Sequence, residues 1–229
     1  ASLGLIRLNE INIPDLEELG ISFVNKLNVH NIAAGGHSFG AATAVAAASR
    51  RPDIFSCVIA HDPALDWMPD DARKTLFDES RFQGSDLNYS GGTGGYEEAD
   101  YNHEEKKEVV CSGKTEKSLH DLDFLFLYSH QWKKFGWGGY SFIFDMFRRG
   151  RLGPKKDNVS ICSFVYGSHH SEFSDSCMKT PLWLARATGF TGKRNPHETA
   201  EEIASNTIEF LENVSKKQKD LKKKKKTEN

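Results

Sequence analysis

The sequence predicts an α/β fold in which a mostly parallel sheet is covered by helices on both faces. Four short segments are almost continuously apolar, and they are separated by longer stretches; the segments are 32–35, 55–60, 123–128 and 159–166. Parallel strands that are buried on both faces show such continuous apolar runs, whereas half-exposed strands alternate. The chain of 229 residues, 38% hydrophobic and 27% charged, has the size and composition of one such domain.

Helix signals lie between and after these strands. Residues 13–27 place apolar side chains at helical spacing, with Pro14 in the first turn, and residues 38–50 are rich in alanine. The last helix is marked by Asn195 as its cap and Pro196 at its first position. Strands that alternate with helices in this way indicate parallel strands joined by helical crossovers.

Composition divides the chain into a domain, an insertion and a tail. The segment at about 70–119 is charged, rich in glycine and poor in aliphatic residues, and we interpret it as a surface loop or lid. Residues 215–229 contain eight lysines, which predicts a disordered, solvated tail. The α/β domain would therefore span residues 1–214, with the insertion inside it.

The most informative motif is Gly36-His37-Ser38-Phe39-Gly40, between the first strand and the alanine-rich helix. A G-x-S-x-G segment in that context is the nucleophile elbow of an α/β-hydrolase. The turn is so tight that we expect glycine to be required at both flanking positions, and it lifts the Ser38 hydroxyl above a helix N-terminus. The alternative interpretation is an ordinary glycine-rich turn before a buried helix.

Two further strand ends carry the partners that a serine nucleophile needs. A serine hydroxyl requires an imidazole to take its proton and a carboxylate to orient that imidazole. The second strand ends in His61-Asp62, and the fourth is followed by His169-His170. The chain order Ser38, aspartate, histidine is that of α/β-hydrolases.

These segments together resemble the platelet-activating factor acetylhydrolase family, the calcium-independent serine phospholipases A2. The resemblance runs from about residue 12 to 213, interrupted by the insertion. It is carried by residues 36–43, 59–62 and 167–170, by Phe173 and Asp175, and by the pair Trp67-Met68.

The resemblance implies a set of roles and a substrate class. Ser38 would be the nucleophile, Asp62 the acid member of the triad and His170 the general base, with the Phe39 backbone N–H as an oxyanion donor. The family removes short or oxidised acyl chains from the sn-2 position of phospholipids at a membrane or lipoprotein surface. No cofactor is implied, and we expect none.

The sequence departs from the family pattern around two of these residues. Asp66 is a second carboxylate close to Asp62, although the position directly after a strand favours Asp62. His169 competes with His170, and the spacing to Phe173 favours His170.

A further departure lies at the front of the chain. Only 37 residues precede Ser38, whereas an α/β-hydrolase has several strands there and a loop that provides a second oxyanion N–H. We therefore expect the N-terminal strands to be missing and the chain, which begins at Ala1, to be part of a longer enzyme or a truncated copy. A general carboxylesterase or thioesterase and a catalytically inactive binding scaffold are the alternative functions.

Net charge and cysteine usage limit the classes of partner and the cellular compartment that we expect. The net charge is −2 despite the lysine tail, so the rest of the chain is acidic, which argues against a nucleic-acid-binding protein. The four cysteines lack metal-ligand spacing, and buried reduced thiols at Cys57 and Cys162 favour a cytoplasmic location. No segment has the length of a transmembrane helix, but peripheral membrane contact remains compatible with the sequence.

One aromatic segment admits two interpretations. Residues 132–147 combine seven aromatic side chains with lysines and arginines at both ends. Such a segment forms either the core or acyl pocket beside the site, or an element that contacts a lipid interface.

Overall fold

The computed structural model describes residues 31–76, 119–154, 156–174 and 176–227, together with Ser22, Val24, Asn28 and Val29. Apart from Ser22 and Val24, the residues of the helix predicted at 13–27 lie outside the described residues, as do the insertion from 77 to 118 and Asp175.

Four parallel strands form one sheet in the order β1-β2-β3-β4. They are β1 (Ile32–His37), β2 (Phe55–His61), β3 (Asp123–Ser129) and β4 (Ile161–Val165). The predicted α/β fold with a parallel sheet is confirmed, and each predicted strand is present with boundaries that differ by a few residues. Because the strands are parallel and neighbouring in sequence, their carboxyl ends meet at one edge.

Six helices accompany the sheet in the described residues. They are α1 (Phe39–Arg50), α2 (Asp70–Leu76), α3 (His130–Phe135), α4 (Tyr140–Arg148), α5 (Leu182–Ala187) and α6 (Pro196–Thr227). Short 3₁₀ turns lie at Leu65–Trp67, Leu119–Asp121, Trp137–Gly139 and His170–Phe173.

Helices cover both faces of the sheet, as the continuous apolar strands predict. On one face, the alanines of α1 pack against the strands together with α4, in a core that includes Phe124 and Phe126. On the other face, Ile203, Phe210 and Val214 of α6 pack on the β2, β3 and β4 side chains. The two apolar layers fix the sheet, and with it the edge at which the strands end.

The tail predicted to be disordered is helical as far as Thr227, so that prediction is wrong for residues 215–227. Asn195 caps α6 as predicted, since its Oδ1 accepts the His197 N–H at 3.0 Å. Lysine is a good helix former, and cations at a helix C-terminus interact favourably with the helix dipole. In addition, Lys217 Nζ lies 2.6 Å from the buried carboxylate of Asp123 and ties this end of α6 to the sheet.

The beginning of the predicted insertion belongs to the packed domain. Helix α2 starts at Asp70 and places Leu76 in the core, while Asp71 pairs with Arg50 of α1 at 2.7 Å. Leu119, at the far end of the insertion, is buried as well. Among the described residues, no helix combines the length and the apolar character that crossing a bilayer requires.

Candidate active site

Ser38 lies in a strained turn between β1 and α1. Its backbone has φ 56° and ψ −121°, a conformation that non-glycine residues rarely adopt. The turn is held from both sides, because the Ser38 N–H donates to the His61 carbonyl at 2.9 Å and the Ser38 carbonyl accepts the Ala64 N–H at 3.1 Å. The side chain is thereby presented at the carboxyl edge of the sheet.

The two glycines of the elbow differ in how much space a side chain would have at their positions. A Cβ on Gly36 would lie 2.4 Å from the Gly40 carbonyl carbon and 2.8 Å from the Ala41 nitrogen, so no side chain fits there. A Cβ on Gly40 would meet nothing within 4 Å. The expectation that both positions require glycine is therefore wrong for Gly40, because a Cβ at that position would enter open space.

Asp62 follows β2 directly and is completely buried. Its backbone also has a positive φ, 42°, and its N–H donates to the Leu127 carbonyl at 2.8 Å. One carboxylate oxygen, Oδ1, accepts the Ser129 N–H at 2.5 Å, and Oδ2 lies 3.0 Å from His170 Nδ1. A buried carboxylate needs hydrogen-bond partners for its oxygens, and both oxygens of Asp62 have one.

His170 connects Asp62 to Ser38. It begins the 3₁₀ turn after β4, and its N–H donates to the side-chain oxygen of Gln131 at 3.1 Å. With Nδ1 bonded to the Asp62 carboxylate, the ring presents Nε2 to Ser38 Oγ at 3.1 Å. A carboxylate can only accept, so Nδ1 carries the proton and Nε2 is free to take one from the hydroxyl.

The competing residues are not part of this chain of hydrogen bonds. Asp66 is exposed, and its Oδ2 accepts the Gly138 N–H at 3.2 Å. His169 places Nδ1 3.1 Å from the Gly189 carbonyl. Of the residues that the sequence singles out, the structure thus brings together Ser38, Asp62 and His170.

The N-terminus of α1 lies next to the Ser38 hydroxyl. Phe39 is the first residue of that helix, where the backbone N–H has no acceptor within the helix. An N–H at a helix N-terminus can donate to a developing oxyanion, and the helix dipole adds to its effect. In α/β-hydrolases a loop before the elbow strand provides a second donor, and most residues before β1 lie outside the described part of this chain.

Two further histidines, His37 at the end of β1 and His61 at the end of β2, have lowered pKa values. Burial lowers the pKa of His37, and the neighbouring His170 lowers it further. Burial also lowers the pKa of His61 to about 4, with a smaller contribution from His37. The Thr207 hydroxyl donates to the Ile203 carbonyl, so His61 Nε2 donates to Thr207 Oγ1 at 3.1 Å. No group of three potential metal ligands converges anywhere in the described residues.

The lowered pKa of His61 predicts a loss of stability in acid. Between pH 6.5 and about 4 the unfolded chain binds a proton at His61 that the folded chain does not bind, so stability falls as the pH falls through this window. We expect His61→Gln, which can still donate to Thr207, to remove about 2 kcal/mol of the loss between pH 7.0 and 4.5. Urea unfolding at pH 7.0 and 4.5 measures it; parallel pH dependences in both proteins would contradict the prediction.

Sequence reasoning missed the residues that surround the His170 ring. Trp132 stacks on it with ring centroids 4.3 Å apart and an interplanar angle of 8°, and His37 lies 4.4 Å away at 39°. No spacing rule points to this contact, because it depends on the tight turn beside Trp132, in which Gly136, Gly138 and Gly139 all have positive φ.

The aromatic segment divides between core and surface. Trp132 and Tyr140 are buried and pack with the strands, as the core interpretation predicts. Phe135, Trp137 and Phe144 are largely exposed, and for these the interfacial interpretation stays a prediction.

A small apolar groove begins at the elbow. It has a volume of about 200 Å³ and runs along α1 beside the segment after β2. Its lining includes Phe39 and Trp67, whose rings are 5.3 Å apart, and Met68 and Pro69, with Arg50 at the end of the helix. Phe39 is 61% exposed and Trp67 58%, so the groove is open to large apolar groups from solvent.

Comparison with known proteins supports the class of the fold. A family model described as the prolyl oligopeptidase family matches residues 23–127, just under half of the chain. The chain has an α/β-hydrolase fold. The match contains Ser38 and Asp62, ends before His170, and indicates a serine hydrolase. It supports the α/β-hydrolase part of the resemblance but does not show the platelet-activating factor acetylhydrolase family. No curated protein and no solved structure gives a significant match.

Proposed function

We propose that this chain is a serine hydrolase that cleaves carboxylic esters through an acyl-enzyme, with Ser38 as nucleophile, His170 as general base and Asp62 as the acid member. The observation that carries the proposal is the position of the His170 ring, with Nε2 3.1 Å from Ser38 Oγ and Nδ1 3.0 Å from Asp62 Oδ2. Both distances are those of hydrogen bonds that a triad uses.

The proposed acylation follows from these contacts. Ser38 Oγ bonds to the ester carbonyl carbon while its proton passes to His170 Nε2, and the carbonyl electron pair moves to the oxygen near the Phe39 N–H. Collapse of this intermediate breaks the bond to the alcohol oxygen, which takes the proton from Nε2. Water then attacks the acyl-enzyme, gives a proton to His170, and Ser38 regains that proton as the acid leaves.

For the substrate, we propose phospholipids with a short or oxidised sn-2 acyl chain. The small apolar groove beside Phe39 and Trp67 suits such a chain. A second support is the exposed apolar surface at Leu182, Trp183 and Phe190, since the Phe190 carbonyl accepts a hydrogen bond from Ser171, next to His170. Apolar side chains around an open site favour a substrate that is presented in a lipid surface.

Hydrolysis of peptide bonds is the second candidate, because the matching family model is that of prolyl oligopeptidases. Three substrates separate the candidates: vesicles containing a phospholipid with an sn-2 acetyl chain, p-nitrophenyl acetate, and a prolyl p-nitroanilide. We expect the first two to be hydrolysed. Hydrolysis of the soluble ester alone would indicate a general carboxylesterase, and cleavage of the anilide would indicate a peptidase.

Replacement of Ser38 tests whether the chain is an enzyme at all. We expect Ser38→Ala to lower the rate of ester hydrolysis by about 10⁴-fold or more, because the acyl-enzyme cannot form. Ser49→Ala is the matched control, since Ser49 on the same helix bonds only the Ala46 carbonyl in the described structure. Equal rates in the two variants would overturn the proposal and favour a binding scaffold.

A further inference from the structure

One face of the His170 imidazole is covered by an aromatic side chain. The Trp132 indole lies almost parallel to the His170 ring, with the centroids 4.3 Å apart. Trp132 is 5% exposed, so its contact with the imidazole excludes water from that side. Neither hydrogen bond of the His170 ring involves Trp132, because both ring nitrogens are occupied by Asp62 and Ser38.

The indole is held in place independently of His170. The backbone N–H of Trp132 donates to Ser129 Oγ at 3.1 Å, which caps α3 and fixes the residue at the start of the helix. On the indole itself, a Cβ on Gly138 would lie 2.8 Å from Trp132 Cε3, so the turn at residues 137–139 packs directly against the ring. That turn is fixed by Asp66, which accepts the Gly138 N–H, and by Tyr128, which donates to the Gly138 carbonyl at 3.0 Å.

We infer that Trp132 is a positioning residue for the proposed reaction: its indole face fixes the plane of the His170 ring and stabilises the imidazolium that forms when Ser38 gives up its proton. The inference rests on the proposed function. A cation over the face of an aromatic ring is attracted to it, tryptophan gives the strongest effect, and desolvation increases it. Asp66 and Tyr128 thus contribute indirectly to the position of His170, because they fix the turn that packs against this indole.

The charges of the other groups that face His170 are consistent with this role of the indole. From β2, the Asp62 carboxylate favours the imidazolium; from β1, His37 is close enough to repel it if it were charged. Burial lowers the pKa of His37, which favours its neutral form. From α3, Trp132 and Gln131 carry no charge and therefore contribute through contact and hydrogen bonding. The indole is thus the aromatic group that can stabilise the charge without competing for a proton.

The test compares Trp132→Phe and Trp132→Leu with wild type, using p-nitrophenyl acetate and the pH dependence of kcat/KM. Loss of the indole face is expected to move the midpoint of the acidic limb down by about one pH unit in Trp132→Leu and to lower kcat about tenfold, with KM little changed. Trp132→Phe retains a ring and is expected to recover about half of both effects. Phe144→Leu is the control, because Phe144 is an exposed aromatic residue of the same segment whose ring stacks on Tyr140.

The outcomes separate this inference from the proposed function. If Trp132→Leu does not fold, the folded Phe variant decides, since its midpoint must lie below that of wild type. A midpoint equal to wild type in either folded variant overturns the inference, because a merely structural role changes the amount of active protein and not the pH dependence. If wild type hydrolyses no ester, the proposed function fails, and the His170 ring titration followed by NMR in the same variants still tests the indole contact.

Discussion

Replacing Asp62 with asparagine is expected to lower kcat for ester hydrolysis by about 10⁴-fold while the protein stays folded. Asp62 uses one oxygen to accept the Ser129 N–H and the other to accept from His170 Nδ1. An asparagine has a single oxygen and can satisfy only one of these donors. If the amide nitrogen faces His170, it donates to Nδ1 and leaves the proton on Nε2, where the ring can no longer accept from Ser38. Stopped-flow or steady-state hydrolysis of p-nitrophenyl acetate measures the loss.

Asp66→Asn provides the matched control for this prediction. The asparagine oxygen can still accept the Gly138 N–H that Asp66 accepts, so the turn below Trp132 is preserved. We expect kcat to remain within about threefold of wild type. A loss in Asp66→Asn as large as that in Asp62→Asn would contradict the assignment and would make Asp66 the acid member.

Gly36→Ala is expected to destabilise the fold by about 3 kcal/mol or more, or to prevent folding. The added Cβ would lie 2.4 Å from the Gly40 carbonyl carbon and 2.5 Å from its oxygen, and these are backbone atoms that cannot rotate away. The strand, the strained Ser38 turn and the start of α1 would have to move together. Chemical denaturation followed by circular dichroism measures the change in the free energy of unfolding.

The glycine-to-alanine substitution at Gly40, four residues later, should not lower the free energy of unfolding. At Gly40 a Cβ meets no atom within 4 Å, and alanine is a better helix former than glycine. We expect Gly40→Ala to be neutral or to stabilise by up to about 1 kcal/mol, with hydrolysis retained. Comparable destabilisation at both positions would mean that the elbow geometry described here is wrong.

The sheet could be predicted from the sequence because its strands are continuous apolar runs. Such a run is a local signal, and the order of runs and helices along the chain is enough to indicate parallel pairing. The helical tail shows the limit of this reasoning. Lysine-rich composition suggests solvation, yet the contact between Lys217 and Asp123 joins residues 94 positions apart and cannot be seen in composition.

The residues of the candidate site could be named from the sequence because each follows a strand end. His170 meets Ser38 across 132 positions and Asp62 across 108, and the sequence places them together only through the parallel sheet. Their roles stay predictions. Trp132 was out of reach, because its contact with His170 depends on the turn at Gly138, which no spacing rule describes. Gly40 is the opposite case. The motif predicts that glycine is required there, yet a Cβ at this position would meet no atom within 4 Å.

The most direct measurement for the proposed triad is the site of covalent labelling by a fluorophosphonate. The full chain is treated with the probe at neutral pH, and the adduct is located by tandem mass spectrometry after proteolysis. The account predicts a single stoichiometric adduct on Ser38, absent in Ser38→Ala and slowed by several orders of magnitude in His170→Ala. A folded protein that takes no label, or one labelled at another serine, would contradict it.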